Sequence, residues 1–138
     1  MKKSIILLAA SLMLMAITGF TTVYNNRHQP GDTEEVKLKQ YKQNVVATYY
    51  ADKFNGRKTS SGERFDNTKY TAAHKTLPFG TMVRVTNRTN GKWVDVRVND
   101  RGPYSKKLEI DITKKAFTTI ASKNAGIIKV NLEIIENK

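Results

Sequence analysis

The sequence predicts a mainly β fold, a small closed barrel carrying one clear helix, and three observations predict it. Short runs of β-branched and aromatic residues recur from Asn44 onward, each bounded by turn-forming residues. Two of these runs alternate apolar and polar residues, the period of a half-buried strand. Helical spacing is clear in one stretch, the segment after Thr113.

At 138 residues the chain has room for one domain. Its first 22 residues are set apart: Lys2 and Lys3 precede an apolar run from Ile5 to Phe20. A basic start followed by an apolar stretch is the pattern of an export signal, with an uncleaved N-terminal anchor as the alternative. Residues 23–43 are polar and of mixed charge, contain Pro30-Gly31, and read as a linker. The folded domain is expected over 44–138. Its first strand holds Val45, Val46, Thr48, Tyr49 and Tyr50. A second runs from Thr81 to Thr86, a third from Trp93 to Val98 with Val94, Val96 and Val98 on one face. Between them, Asn87-Arg88-Thr89-Asn90-Gly91 ends in Asn-Gly, a strong hairpin signal. The helix takes Thr113 as N-cap, Ala116, Phe117, Ile120 and Ala121 as its inward stripe, and Gly126 near its stop. A last strand covers Ile127 to Ile135. Closing these strands into a barrel leaves no long edge unpaired.

Composition narrows the chemistry. Lys and Arg number 24 against 12 Asp and Glu, a net charge of +12, so the surface attracts polyanions: nucleic acid, acidic lipid or acidic wall polymer. An export signal weighs against nucleic acid. Cysteine is absent, which excludes a disulfide framework, a thiolate metal cage, a thiol nucleophile and a lipid-attachment cysteine. The two histidines, His28 and His74, are far apart and no phosphate-binding glycine loop occurs, so neither metal nor cofactor is expected. No Gly-x-Ser-x-Gly elbow presents a serine nucleophile. What remains is carboxylate chemistry.

Three stretches are denser in special residues than a connecting loop requires: Thr59-Ser60-Ser61-Gly62-Glu63-Arg64-Phe65, Thr71-Ala72-Ala73-His74 with Leu77-Pro78-Phe79-Gly80-Thr81, and Asn99-Asp100-Arg101-Gly102-Pro103-Tyr104. Each residue also has a structural reading. Ser60 and Glu63 fit a helix capping box, His74 a satisfied buried imidazole, and Asp100 with Gly102-Pro103 a turn.

Together with Ala47-Thr48-Tyr49-Tyr50, Val83-Arg84-Val85-Thr86-Asn87 and Ile110-Asp111-Ile112-Thr113, these stretches run in consistent order through about 90 residues. From Ala47 to Ile135 the chain resembles the double-psi β-barrel domain of the rare lipoprotein A family, exported lytic transglycosylases of bacterial peptidoglycan. The resemblance implies a six-stranded barrel with one or two short helices. It implies Asp100 as catalytic acid/base, with Glu63 and His74 lining the same cleft. The substrate implied is the peptidoglycan glycan strand, free of stem peptides, cut with formation of 1,6-anhydro-muramyl ends. A single acid suffices if it protonates the bridging oxygen and then takes the proton of the sugar's own 6-hydroxyl, and burial beside a second carboxylate is expected to raise its pKa.

Tyr49, Tyr50 and Arg101 are candidates for contacting the glycan, although core packing accounts equally for the tyrosines and Trp93, and Arg101 has the alternative of bracing its loop. Asp111 matches a family position, with a structural role near the helix start expected. Where many members carry an Arg before Ile110-Asp111, this chain has Leu108 and Glu109. The implied setting is the periplasm or cell envelope, the implied state a monomer, with no nucleic-acid partner and membrane contact only through the N-terminal segment if it is uncleaved. The competing reading is a non-catalytic, expansin-like wall-binding or wall-loosening module. A hydrolase using Glu63 to activate water comes next, and a basic nucleic-acid binder last.

Overall fold

The computed structural model describes residues 36–136. The expected export signal and most of the expected linker lie outside the described residues. Six strands, β1 (Lys37–Tyr49), β2 (Thr71–His74), β3 (Met82–Asn87), β4 (Trp93–Asp100), β5 (Ile110–Ile112) and β6 (Ile128–Glu136), close into a barrel in the order β1-β5-β2-β4-β3-β6. The pairs β1/β5 and β2/β4 are parallel, and the other four are antiparallel. One helix, α1 (Lys114–Ile120), and two 3-10 turns, Asp52–Phe54 and Lys123–Ala125, complete the described structure.

Alternation builds the core. Val83 and Val85 of β3, Val94, Val96 and Val98 of β4, and Ile110 and Ile112 of β5 point inward with Val130 and Leu132 of β6. Ala47 and Ala72 add small side chains to the same core. The helix closes one end. Thr113 caps it, its hydroxyl accepting from the Ala116 N–H, and Phe117 packs against Tyr49 with ring centroids 4.7 Å apart. At its far end the amides of Asn87 and Asn90 both donate to the Ile120 carbonyl, so the 87–91 hairpin satisfies an orphan helix carbonyl. Gly126, expected at the helix stop, instead follows the 3-10 turn, at φ 69°.

Two differences from the expected elements matter. The first strand starts at Lys37, seven residues before Asn44, because residues 37–42 pair with the end of β6 from Lys37↔Glu136 to Lys42↔Leu132. Their polar character suits a ladder exposed on its faces, which is why composition reads as linker. Register shifts on either side of Lys42 separate this extension from the barrel proper, and Asn44 takes a left-handed conformation there, at φ 55°. The second difference is the presence of β2 and β5, four and three residues long, which are too short to show a period.

Candidate active site

A bulge decides where Asp100 points. Along β4 the inward residues are Val94, Val96 and Val98, so plain alternation would turn Asp100 into the core. Against β2, however, Ala72 pairs with Val98 and Ala73 with Asp100, leaving Asn99 as the extra residue. Ala72 lines the core and Ala73 lies on the opposite face, so the bulge carries Asp100 to the outer face as well.

Three donors converge on the Asp100 carboxylate there. The Tyr50 hydroxyl donates to Oδ2 at 2.8 Å, and the backbone N–H groups of Ser60 and Arg101 donate to Oδ1 at 2.9 and 2.8 Å. Each donor is itself held. The Tyr50 ring lies 4.3 Å from that of Phe65, centroid to centroid, and its carbonyl accepts from the amide of buried Asn67. Ser60 sits at the tip of a small hairpin, 56–65, closed by Gly56 N–H to Phe65 O and Phe65 N–H to Arg57 O. That hairpin docks on β4 through Ser61 N–H to Asn99 O. No helix forms at Ser60, so the capping-box reading fails: Ser60 spends its N–H on Asp100 instead.

Glu63 stands on the same hairpin and grips β4. Its two oxygens accept from Nη1 and Nη2 of Arg97 at 2.8 and 2.9 Å, and Asn99 Nδ2 adds a third bond at 3.0 Å. A cavity of about 630 Å³ opens beside this cluster, lined by Glu63, Arg64, Lys69, Arg97 and Asn99 among others. Asn99, the chain neighbour of Asp100, lines it.

The lytic transglycolase family profile matches residues 42–132. The chain belongs to the lytic transglycolase family. Among curated relatives, RlpA of Treponema pallidum, named a probable endolytic peptidoglycan transglycosylase, is 57% identical over 86 residues, covering 62% of this chain and 27% of the relative. The endolytic peptidoglycan transglycosylases RlpA of Rickettsia felis and Neisseria meningitidis serogroup A are 41% and 47% identical, over 83% and 75% of this chain and 55% and 43% of theirs. The chain thus spans between about a quarter and about half of the length of these relatives. Among solved structures, a mutant expansin of Clavibacter michiganensis in complex with cellohexaose superposes with a TM-score of 0.57 at 20% identity, covering 70% of this chain and 51% of that one. A Streptomyces papain inhibitor gives 0.56 at 22%, over 72% and 100%. At that identity the two structures share the barrel fold.

The lytic transglycolase barrel separates the expected site residues into two groups. Asp100 and Tyr50 are bonded to each other, and Glu63 stands on the 56–65 hairpin whose Ser60 N–H binds Asp100. His74 does not touch Asp100: its ring is 1% exposed, with Nδ1 accepting from the Thr76 and Leu77 N–H groups and Nε2 2.9 Å from Glu109 Oε1. Two backbone donors at Nδ1 fix the tautomer with the proton on Nε2, which donates to Glu109. Burial holds the imidazole below its ordinary pKa despite that carboxylate, so the ring is neutral. Glu109 also accepts from Lys42 Nζ at 2.6 Å. Arg101 braces the loop, its Nη1 donating to the carbonyls of His74 and Leu77 and its guanidinium lying 4.0 Å from the Phe79 ring centroid. Tyr49 faces the helix and donates to the Lys123 carbonyl. Trp93 lies at the opposite end of β4 from Asp100, roughly 23 Å away along the strand, under the Arg84 guanidinium.

Electrostatics sort the carboxylates further. Burial pushes Asp100 up, but the donors from Ser60, Tyr50 and Arg101 outweigh it and hold the group below its ordinary value. The expected raised pKa at Asp100 is therefore not found, because the bonds made to its ionised form dominate. Arg97 first and Asn99 second pull Glu63 down to about 2. Asp111, expected to be structural, behaves oppositely: burial, with Asp100 as the second cause, pushes it up to about 6. Tyr104, in the loop after Asp100, is 90% exposed.

Proposed function

We propose that this chain is an exported lytic transglycosylase that cuts peptidoglycan glycan strands lacking stem peptides and leaves 1,6-anhydro-muramyl ends, acting as a monomer in the periplasm or cell envelope. The observation that carries the reading is the Asp100 carboxylate on the outer face of a family barrel, turned out of the core by a bulge and held ionised by three donors. A group fixed in this way faces the anomeric carbon ready to stabilise positive charge and to accept the proton of the 6-hydroxyl as that oxygen attacks. The C1–O6 bond forms as the C1–O4 bond breaks, and no water enters. Membership of the lytic transglycolase family and the names of its relatives support the same chemistry.

A hydrolase would need a base for water, and Glu63 is poorly suited. With both oxygens bound to Arg97 and its pKa near 2, it has little affinity for a proton. Its part is to hold Arg97 and the 56–65 hairpin over β4. The expansin-like alternative shares the fold with the Clavibacter protein, yet binding alone does not require three donors aimed at one carboxylate.

The test is mass analysis of purified glycan strands, with and without stem peptides, after incubation with residues 24–138. Anhydro-ended fragments from stem-free strands are expected, reduced on the order of 10³-fold by Asp100→Asn. Binding to the strands without any cleavage by the wild type would move the chain to the expansin-like reading.

A further inference from the structure

The donors around Asp100 leave one step of the reaction without an agent. A carboxylate held in its ionised form by three hydrogen bonds is a good proton acceptor and a poor donor, while the departing sugar oxygen must receive a proton.

The register of the barrel supplies a second carboxyl group. Ala73 of β2 pairs with Asp100 of β4 on one side and with Asp111 of β5 on the other, and Asp111 pairs in turn with Thr48 of β1. Directly paired residues share a face, so Asp100, Ala73 and Asp111 form a row on the outer face, with only a methyl group between the two acids. Strand spacing places their Cα atoms roughly 10 Å apart. Carboxyl groups on short side chains at that spacing can reach opposite ends of one glycosidic linkage.

Their surroundings differ sharply. Asp100 accepts three hydrogen bonds, whereas Asp111 Oδ1 is buried and has no hydrogen-bond partner among the described residues. The titratable groups facing Asp111 are Asp100 from β4 and Tyr50 after the end of β1, one an anion and the other a phenol that burial and Asp100 keep protonated. Its partners Thr48 and Ala73 carry no charge. A buried oxygen with no donor and an anion nearby favours the protonated acid.

We propose that Asp111 is the second catalytic residue of this site, the carboxylic acid that protonates the leaving oxygen while Asp100 receives the proton of the 6-hydroxyl. This rests on the transglycosylase reading above. The step balances without a co-reactant. The Asp111 proton moves to O4 as the C1–O4 bond breaks, O6 bonds to C1, and the 6-hydroxyl proton passes to Asp100. Transfer of that proton from Asp100 back to Asp111, directly or through solvent, resets the pair.

Two measurements test it. The first follows the Asp111 carboxyl by carbon NMR in the full chain, where titration near pH 6 is expected; titration at the ordinary value of about 3.9 would overturn the proposal. The second compares wild type and Asp111→Asn on glycan strands and on the 2,4-dinitrophenyl glycoside of the GlcNAc–MurNAc disaccharide, whose aglycone leaves without protonation. The variant is expected to lose on the order of 10²-fold or more on glycan strands, to lose the fall in wild-type rate above pH 6, and to keep its rate on the aryl glycoside within about threefold. Equal loss on both substrates would assign Asp111 a structural role. An unimpaired variant beside an active wild type would overturn this proposal alone. A wild type inactive on both substrates would overturn the transglycosylase reading with it.

Discussion

At the scale of single residues, Asp100 and Asp111 differ because of what surrounds them rather than what they are. Asp111 is pushed up to about 6, so between its unfolded value near 3.9 and pH 6 the folded chain binds the extra proton. Stability is therefore expected to fall as pH rises through that window. Asp111→Asn removes this cost. Its melting temperature should exceed that of wild type at pH 7 by roughly 10 °C or more, on the order of 3 kcal/mol, and match it at pH 4; calorimetry at the two values checks this. Glu63 gives a contrasting outcome. Because Arg97 and Asn99 hold it near 2, Glu63→Gln should lower kcat/KM no more than about tenfold and leave the pH profile unchanged in steady-state assays. His74 belongs to the framework. His74→Ala leaves two backbone N–H groups and one side of Glu109 without a partner, and is expected to cost about 3 kcal/mol in urea denaturation. Since burial holds the imidazole below its ordinary value, its contribution is lost as pH falls below about 6.5.

At the scale of elements, what was legible in the sequence is what has a period. The β3–β4 hairpin and the Thr113-capped helix follow from alternation, Asn-Gly and a capping residue, and all stand close to their expected places. β2 and β5 offer three or four residues and no period, and their identity comes from the strands beside them. The bulge at Asn99 was not legible, since it exists only in the register between β2 and β4. With it went the orientation of Asp100 and its alignment with Asp111. The resemblance to the rare lipoprotein A family grouped Asp100, Glu63 and His74, whereas the structure bonds His74 to Glu109 and not to Asp100. Local composition likewise concealed the 37–43 extension of β1. A chain cut to begin at Asn44 loses the β1–β6 pairs from Lys37 to Lys42 and the Lys42–Glu109 ion pair. It should melt below a chain beginning at Val36, and equal melting temperatures would show the extension to be energetically idle.

At the scale of the whole molecule, a barrel closed by six strands leaves its outer face free to carry the acids while its core supplies rigidity. The net charge of +12 acts over longer distances. Screening shortens to about 8 Å at physiological salt, so the rate of association with an anionic wall should fall as salt rises while the rate of cleavage of bound strands holds. In the proposed mechanism a sugar hydroxyl, rather than water, attacks the anomeric carbon. Digestion of stem-free glycan strands in ¹⁸O-labelled water decides this directly. New ends one water lighter than hydrolytic ends and free of label are expected; reducing ends carrying one ¹⁸O atom would contradict the transglycosylase reading.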